Sequence, residues 1–158
     1  MKHILIFSAM LILLVSCEQK NEPAYTDKDK QEVISTVETN LNSYCSHNLQ
    51  GVLDTYAKIP EVAAYGSIYQ ESAIGYEKVK EIYKNDMSAP YQLVMRKFDN
   101  HRVIFIGEAA NCVSDLKISF IHDSIDTKIT ARMTSLLKKL GGKWLLVQTV
   151  FQTFPTSK

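Results

Sequence analysis

Little in this chain marks the commoner enzyme classes. Its three cysteines, Cys17, Cys45 and Cys112, form no CxxC pair, and its four histidines include no HxxxH spacing. No metal site built from closely spaced ligands is therefore expected. No GxSxG, Walker loop or GxGxxG occurs, so the usual nucleophile-elbow, nucleotide and dinucleotide motifs are missing too. Neither sign of charge is in excess: 18 basic residues stand against 17 acidic. Setting aside residues 1–16 removes only Lys2 and leaves 17 against 17. Nucleic acid needs clustered positive charge, as does a polybasic membrane patch, so neither partner is expected. No apolar run is long enough to span a bilayer. The longest, Ile4–Val15, would rise about 18 Å as a helix, against about 30 Å of hydrocarbon.

What that run does offer is an export signal. Lys2 and His3 supply a short positive region before it, and it ends in Leu14-Val15-Ser16-Cys17. This ending resembles the bacterial lipobox. The resemblance implies cleavage before Cys17, diacylation of its thiol and acylation of the new amine. Several acyl chains on one residue anchor stably where a single chain is marginal. The alternative is an ordinary secretory signal with an unmodified cysteine. On the first reading the partner is a lipid bilayer and the location is a bacterial cell envelope, on its periplasmic or surface side. Glu18–Asp27 is polar, contains Pro23 and has no apolar period, and so reads as a tether. The expected organisation is a leader over residues 1–16, lipidated Cys17 and tether over 17–28, and one domain over 29–155. No repeat or low-complexity tract divides that domain.

Within it, Val33, Ile34, Val37, Leu41, Tyr44 and Cys45 recur at helical spacing, and Thr26 with Asp29 offers a capping box. Asn48 can cap a short helix through Leu49, Val52, Leu53 and Tyr56, with Pro60 as its stop. Short β pieces are expected at Val62–Tyr65 and Ile68–Gln70, then a helix over Tyr76–Lys84 broken by Asn85–Pro90. Tyr91–Phe98 and Arg102–Ile106 read as one bent strand or two. Ala110–Ile121, Thr127–Leu140 and Trp144–Phe154 follow, the last two joined by a Gly141-Gly142 hairpin turn. Helices first and long antiparallel strands afterwards make an α+β domain, with helices roofing a curved sheet and a pocket between them.

This order resembles the NTF2-like (cystatin-like) fold. Three local patterns are similar to its SnoaL-like branch. Tyr65-Gly66-Ser67 with Glu71 and Gly75 precedes the helix at Tyr76. Arg132-Met133-Thr134 opens a long strand ending at the glycine pair. Gly142-Lys143-Trp144-Leu145-Leu146-Val147 resembles the family's G-x-W-x-I-V closing strand. The resemblance implies a cone-shaped cavity, and in ketosteroid-isomerase-like members an aspartate base with a tyrosine donor. No acid of this chain maps onto that aspartate, and Gln148 and Val150 stand where many relatives carry histidines. A binding domain for a small apolar or amphipathic molecule is therefore expected ahead of an isomerase- or cyclase-like enzyme. Neither reading calls for a cofactor.

Strand alternation puts Trp144, Leu146, Gln148, Val150 and Gln152 on one face of the last strand. By the resemblance that face looks into the cone. Gln148 and Gln152 then offer hydrogen bonds to a ligand, or sit at an open rim. Arg132 would hold a ligand carboxylate, or pair with Glu71 or Asp115. Glu71 is a pocket acid or a surface residue. Tyr56, Tyr65, Tyr69 and Tyr83 lend hydroxyls to the cavity or pack in the core. His101 and His122 read as solvated, and His47 lies near a helix C-terminus, where positive charge is favoured. Cys45 and Cys112 fall on elements expected to pack together, so a disulfide is one alternative if their Cα atoms come within about 7 Å, with two buried free thiols the simpler expectation. The opposite face, Leu145, Val147, Thr149 and Phe151, would be apolar and outward, suited to pairing two copies through the sheet.

Overall fold

Helix α1 (Asp27–Cys45) starts on a complete capping box: the Asp29 amide donates to the Thr26 hydroxyl at 3.2 Å, and the Thr26 amide to the Asp29 carboxylate at 3.1 Å. The computed structural model describes residues 25–68 and 70–154. The expected leader, Cys17, most of the tether, Tyr69 and residues 155–158 lie outside them. Tyr25 stacks on Phe105 with ring centres 4.2 Å apart and donates to the Gly107 carbonyl, so the chain meets the domain before α1 begins. Val33, Val37 and Leu41 form the inward stripe of α1. Asn48 caps α2 (Leu49–Leu53) by accepting from the Gly51 amide at 3.0 Å. That helix ends well before Pro60. Its stop is pairing with the sheet: Leu146 donates to the Thr55 carbonyl at 2.8 Å and Ala57 donates to Leu146 at 2.9 Å.

Strands β1 (Ala63–Tyr65) and β2 (Ser72–Ile74) form a small hairpin before α3 (Tyr76–Asp86). The second β piece was expected at Ile68–Gln70. It lies further on because Ala73 is the residue that reaches the core, while Ile68 is 57% exposed. Gly75, at φ 93°, makes the sharp entry into α3. Four long strands follow: β3 (Gln92–Ile106), β4 (Ala109–His122), β5 (Ile125–Leu140) and β6 (Lys143–Phe154). The sheet order is β2-β1-β6-β5-β4-β3, antiparallel except where β1 runs parallel to β6. The bent-strand alternative for 91–106 is the one found. β3 is continuous, with register shifts between Met95 and Lys97 and between Phe98 and Asn100. Such bulges bend a strand and deepen the curl of a sheet.

A third bulge decides which side chains face inward. Leu137 pairs with Leu146 but Leu136 pairs with Gln148, so Val147 is an extra residue in β6. Alternation is reset there. Trp144 and Leu146 point into the core, and beyond the bulge Thr149, Phe151 and Thr153 do. The expected face Trp144–Gln152 is therefore split, and Gln148, Val150 and Gln152 turn outward.

The core is solid at the end where α1 begins. Trp144, 2% exposed, packs on Tyr25 and Phe105 and donates to Asp29 at 3.3 Å. Lys139 reaches the same carboxylate at 2.7 Å. These donors, Lys139 foremost, hold Asp29 well below the usual carboxylate range.

Candidate functional site

At the other end, the helices and the concave sheet part to leave a cavity of about 530 Å3. Its walls are mainly apolar: Leu41 from α1, Ala64 from β1, Ile82 from α3, and Leu93, Ile118, Phe120, Ile129, Met133 and Phe151 from the long strands. A cavity of this size and lining suits a small molecule with a large apolar part.

Polar groups gather in two sets. Asp86, the last residue of α3, accepts a hydrogen bond from the Tyr44 hydroxyl on one carboxylate oxygen and from the Tyr91 hydroxyl on the other. Burial and then the Asp86 carboxylate push Tyr91 up to about 12, and raise Tyr44 for the same reasons. Both phenols therefore remain protonated donors at neutral pH. The second set is a chain of hydroxyls. Tyr56 lies 2.8 Å from Tyr83 and 2.7 Å from Thr149, and burial raises both phenols. Tyr83 and Thr149 line the cavity, whereas Tyr56, 1% exposed, supports them from behind. Tyr44 and Tyr83 meet edge to face with ring centres 5.5 Å apart, joining the two sets.

Of the residues anticipated from sequence, Tyr65, Glu71 and Tyr83 line the cavity and Tyr56 acts through Tyr83 and Thr149. Glu71 is fixed by the Ser67 amide at 2.8 Å, and Gly66 leaves the space for it, since a Cβ there would overlap the Glu71 side chain. Arg132, Gln148 and Gln152 do not join them. The bulge at Val147 turns both glutamines to the outer face, where they are exposed. Arg132 sits on that face too, opposite Asp115 in the register and 2.6 Å from its carboxylate, so the pairing alternative is the one realised. Thr149 and Phe151, expected outward, line the cavity instead. Cys17 and Tyr69 lie outside the described residues.

Asp86 was missed. The sequence does carry a signal for it. An acid in the last turn of a helix opposes the helix dipole, and this one stands between Tyr83 and Tyr91. A residue that breaks a local rule is a reason to look for a site.

His101 is not solvated. Its Nδ1 lies 2.9 Å from the Ser114 hydroxyl and its Nε2 3.1 Å from Glu38, tying α1 to β3 and β4. The residue types are those of a hydrolase triad, but serine and acid sit on the opposite ring nitrogens, and Ser114 is fully buried and does not line the cavity, so the cluster is a strut. His122 ends β4 beside Asp123, and His47 occupies a left-handed turn position after α1. Cys45 and Cys112 are both free, and burial raises both thiols. Cys45 is half-buried rather than fully so. Among the described residues, no three His, Cys, Asp or Glu side chains gather as a metal site would require.

Comparison with known proteins agrees with this architecture. A ketosteroid isomerase-like protein from Erwinia carotovora superposes with a TM-score of 0.65 at 13% identity, over 83% of this chain and 100% of the other. An NTF2-like superfamily protein from Salmonella enterica gives 0.71 at 17% identity, over 85% and 96%. A protein with a cystatin-like fold from Nostoc punctiforme gives 0.65 at 17% identity, over 83% and 95%. At these identities the likeness establishes the fold. No curated protein sequence is significantly similar to the chain. The SnoaL-like domain model matches residues 33–155, which spans every strand and most of α1. The chain belongs to the SnoaL-like domain family and has an NTF2-like fold.

Proposed function

We propose that the chain is a lipid-anchored protein of a bacterial cell envelope whose domain binds a small apolar or amphipathic molecule. The observation that carries the binding half is the cavity of about 530 Å3, apolar along its walls and polar at one end. Native mass spectrometry of the purified chain after exposure to a lipid and metabolite extract tests it. A stoichiometric adduct is expected, and Ala89→Trp, which places an indole at the cavity wall, is expected to abolish it. No adduct under any extract overturns the reading. The anchor half rests on Leu14-Val15-Ser16-Cys17. Cys17→Ala is expected to move the chain out of the membrane fraction, and an unmodified mature Cys17 would refute acylation.

The Asp86 carboxylate in contact with two tyrosines favours a second reading, an isomerase- or cyclase-like acid–base enzyme. Against it, both hydroxyls donate to the carboxylate itself, so neither is free to hold a developing enolate oxygen. Deuterium exchange into an enolisable ketone, lost in Asp86→Asn, would establish it. Pairing of two copies through the outer sheet face belongs to either reading. That face is now Ile104, Val113, Thr134, Leu136 and Val150, with Ile104 61% exposed. Sedimentation of a monomer at high concentration would refute the pairing.

A further inference from the structure

The cavity is charged with one sign only. Among the described residues it is lined by two carboxylates, Asp86 and Glu71, and by no lysine, arginine or histidine. None of the ion pairs among those residues involves either acid. Three basic side chains of the neighbouring strands are engaged elsewhere. Arg96 reaches Ser119 at 2.9 Å and Asp126 at 3.2 Å, while Lys97 and Lys117 both pair with Asp99.

Glu71 accepts from the Ser67 amide and so has a part in the turn, but Asp86 is not explained by the fold. Asp86 stands at the negative end of α3, where a carboxylate costs helix stability. Two phenols satisfy part of it, but a carboxylate offers about four acceptor positions, so room remains for a charged donor. The walls beside it are aromatic: Tyr44 against Tyr83, and Tyr91 against Phe120 with ring centres 4.9 Å apart. Aromatic faces attract cations and give nothing to anions. An apolar chamber with a negative, aromatic end fits a molecule of matching polarity.

Resting on the cavity-binding reading above, we propose that the ligand is a cationic amphiphile, an apolar body carrying a protonated amine, and that the cavity rejects the corresponding carboxylic acid. The ammonium lies against Asp86 among the tyrosines, with Glu71 adding to the field, and the apolar body lies along the strands.

Three probes of one chain length separate this from simple apolar binding. Octylamine, octanol and octanoate displace the neutral fluorophore N-phenyl-1-naphthylamine from the full chain carrying Cys17→Ser, so that no acyl group competes. Octylamine is expected to bind roughly tenfold tighter than octanol, a difference of about 1.4 kcal/mol, with octanoate weakest. In Asp86→Asn the amine's advantage is expected to shrink below about threefold while octanol is unchanged. Glu71→Gln makes the same comparison if the first variant fails to fold, with a partial loss expected. Equal binding of all three probes overturns the charge selection and leaves the cavity reading standing. Failure of the fluorophore and every probe to bind overturns both.

Discussion

Tyr56 makes one hydroxyl serve two neighbours, and removing it tests whether the cavity wall is held by that sharing. Its oxygen lies 2.8 Å from Tyr83 and 2.7 Å from Thr149, and Thr149 is 3% exposed. Tyr56→Phe keeps the packed ring and strands the Thr149 hydroxyl in the interior. An orphaned buried hydroxyl costs roughly 1–3 kcal/mol. Thr149→Val is milder, because Tyr56 keeps Tyr83 as its partner; about 0.5–1.5 kcal/mol is expected. With both changes nothing is left unpaired at Thr149, so the double variant should lose about 1 kcal/mol less than the sum of the singles. Urea unfolding measures this directly, and for a chain of this size each kcal/mol corresponds to about 3–5 °C in Tm. The double variant's cavity is also more apolar, so octanol should bind it at least as well as the parent. Strictly additive losses, or a Tyr56→Phe variant as stable as the parent, would refute the argument.

Three further outcomes follow from other contacts. Gly66→Ala would drive a Cβ into the Glu71 side chain, and overpacking of this kind costs about 1–3 kcal/mol; thermal unfolding should show it, and Glu71→Ala in the same chain should restore much of it. His101→Phe leaves fully buried Ser114 with only the Cys112 sulfur, 3.6 Å away, so a loss of about 1–3 kcal/mol is expected, reduced in the double variant with Ser114→Ala. Asp29 is held below its ordinary range in the folded state, chiefly by Lys139, so its stabilisation is complete above the unfolded value near 4 and is lost as pH falls below it. Asp29→Ala should therefore lower stability at neutral pH and flatten the acid limb of a stability profile between about pH 4 and 2; an unchanged slope would refute the assignment.

The sequence is most legible where local chemistry decides the structure. Thr26 with Asp29 marks the start of α1, Asn48 the start of α2, and Gly141-Gly142 the β5–β6 turn, where both glycines adopt positive φ. Each is a property of a few adjacent residues. The site is less legible because one inserted residue controls it. Val147 is an ordinary strand residue with nothing to mark it as bulged, since the bulge exists only relative to Leu136 and Leu137 on the neighbouring strand. Period-2 reading carried through it assigns Gln148 and Gln152 to the cavity and Thr149 and Phe151 to the outside, the reverse of their positions. Arg132 fails for a related reason. Its partner Asp115 lies across a strand pair, and only the register decides between it and Glu71.

Why a hollow exists at all follows from the lengths of the elements. α1 rises about 28 Å over its 19 residues, while the 14 residues of β4 extend roughly 46 Å. Both begin near the Trp144 end of the core. The helix therefore runs out first, and the strands continue past it to His122 and back from Ile125. Phe120, Ile129 and Phe151 are inward residues of that overhang, only partly buried, with α3 and the turn after it standing to one side. Apolar area left facing water forgoes about 25 cal/mol per Å2 of stabilisation. Among the described residues no side chain covers it, so that free energy is available to an occupant. Affinity then comes from the strands and choice of ligand from the end of α3. A variant of the wall should weaken all the probes together, whereas a variant of Asp86 should weaken only the amine.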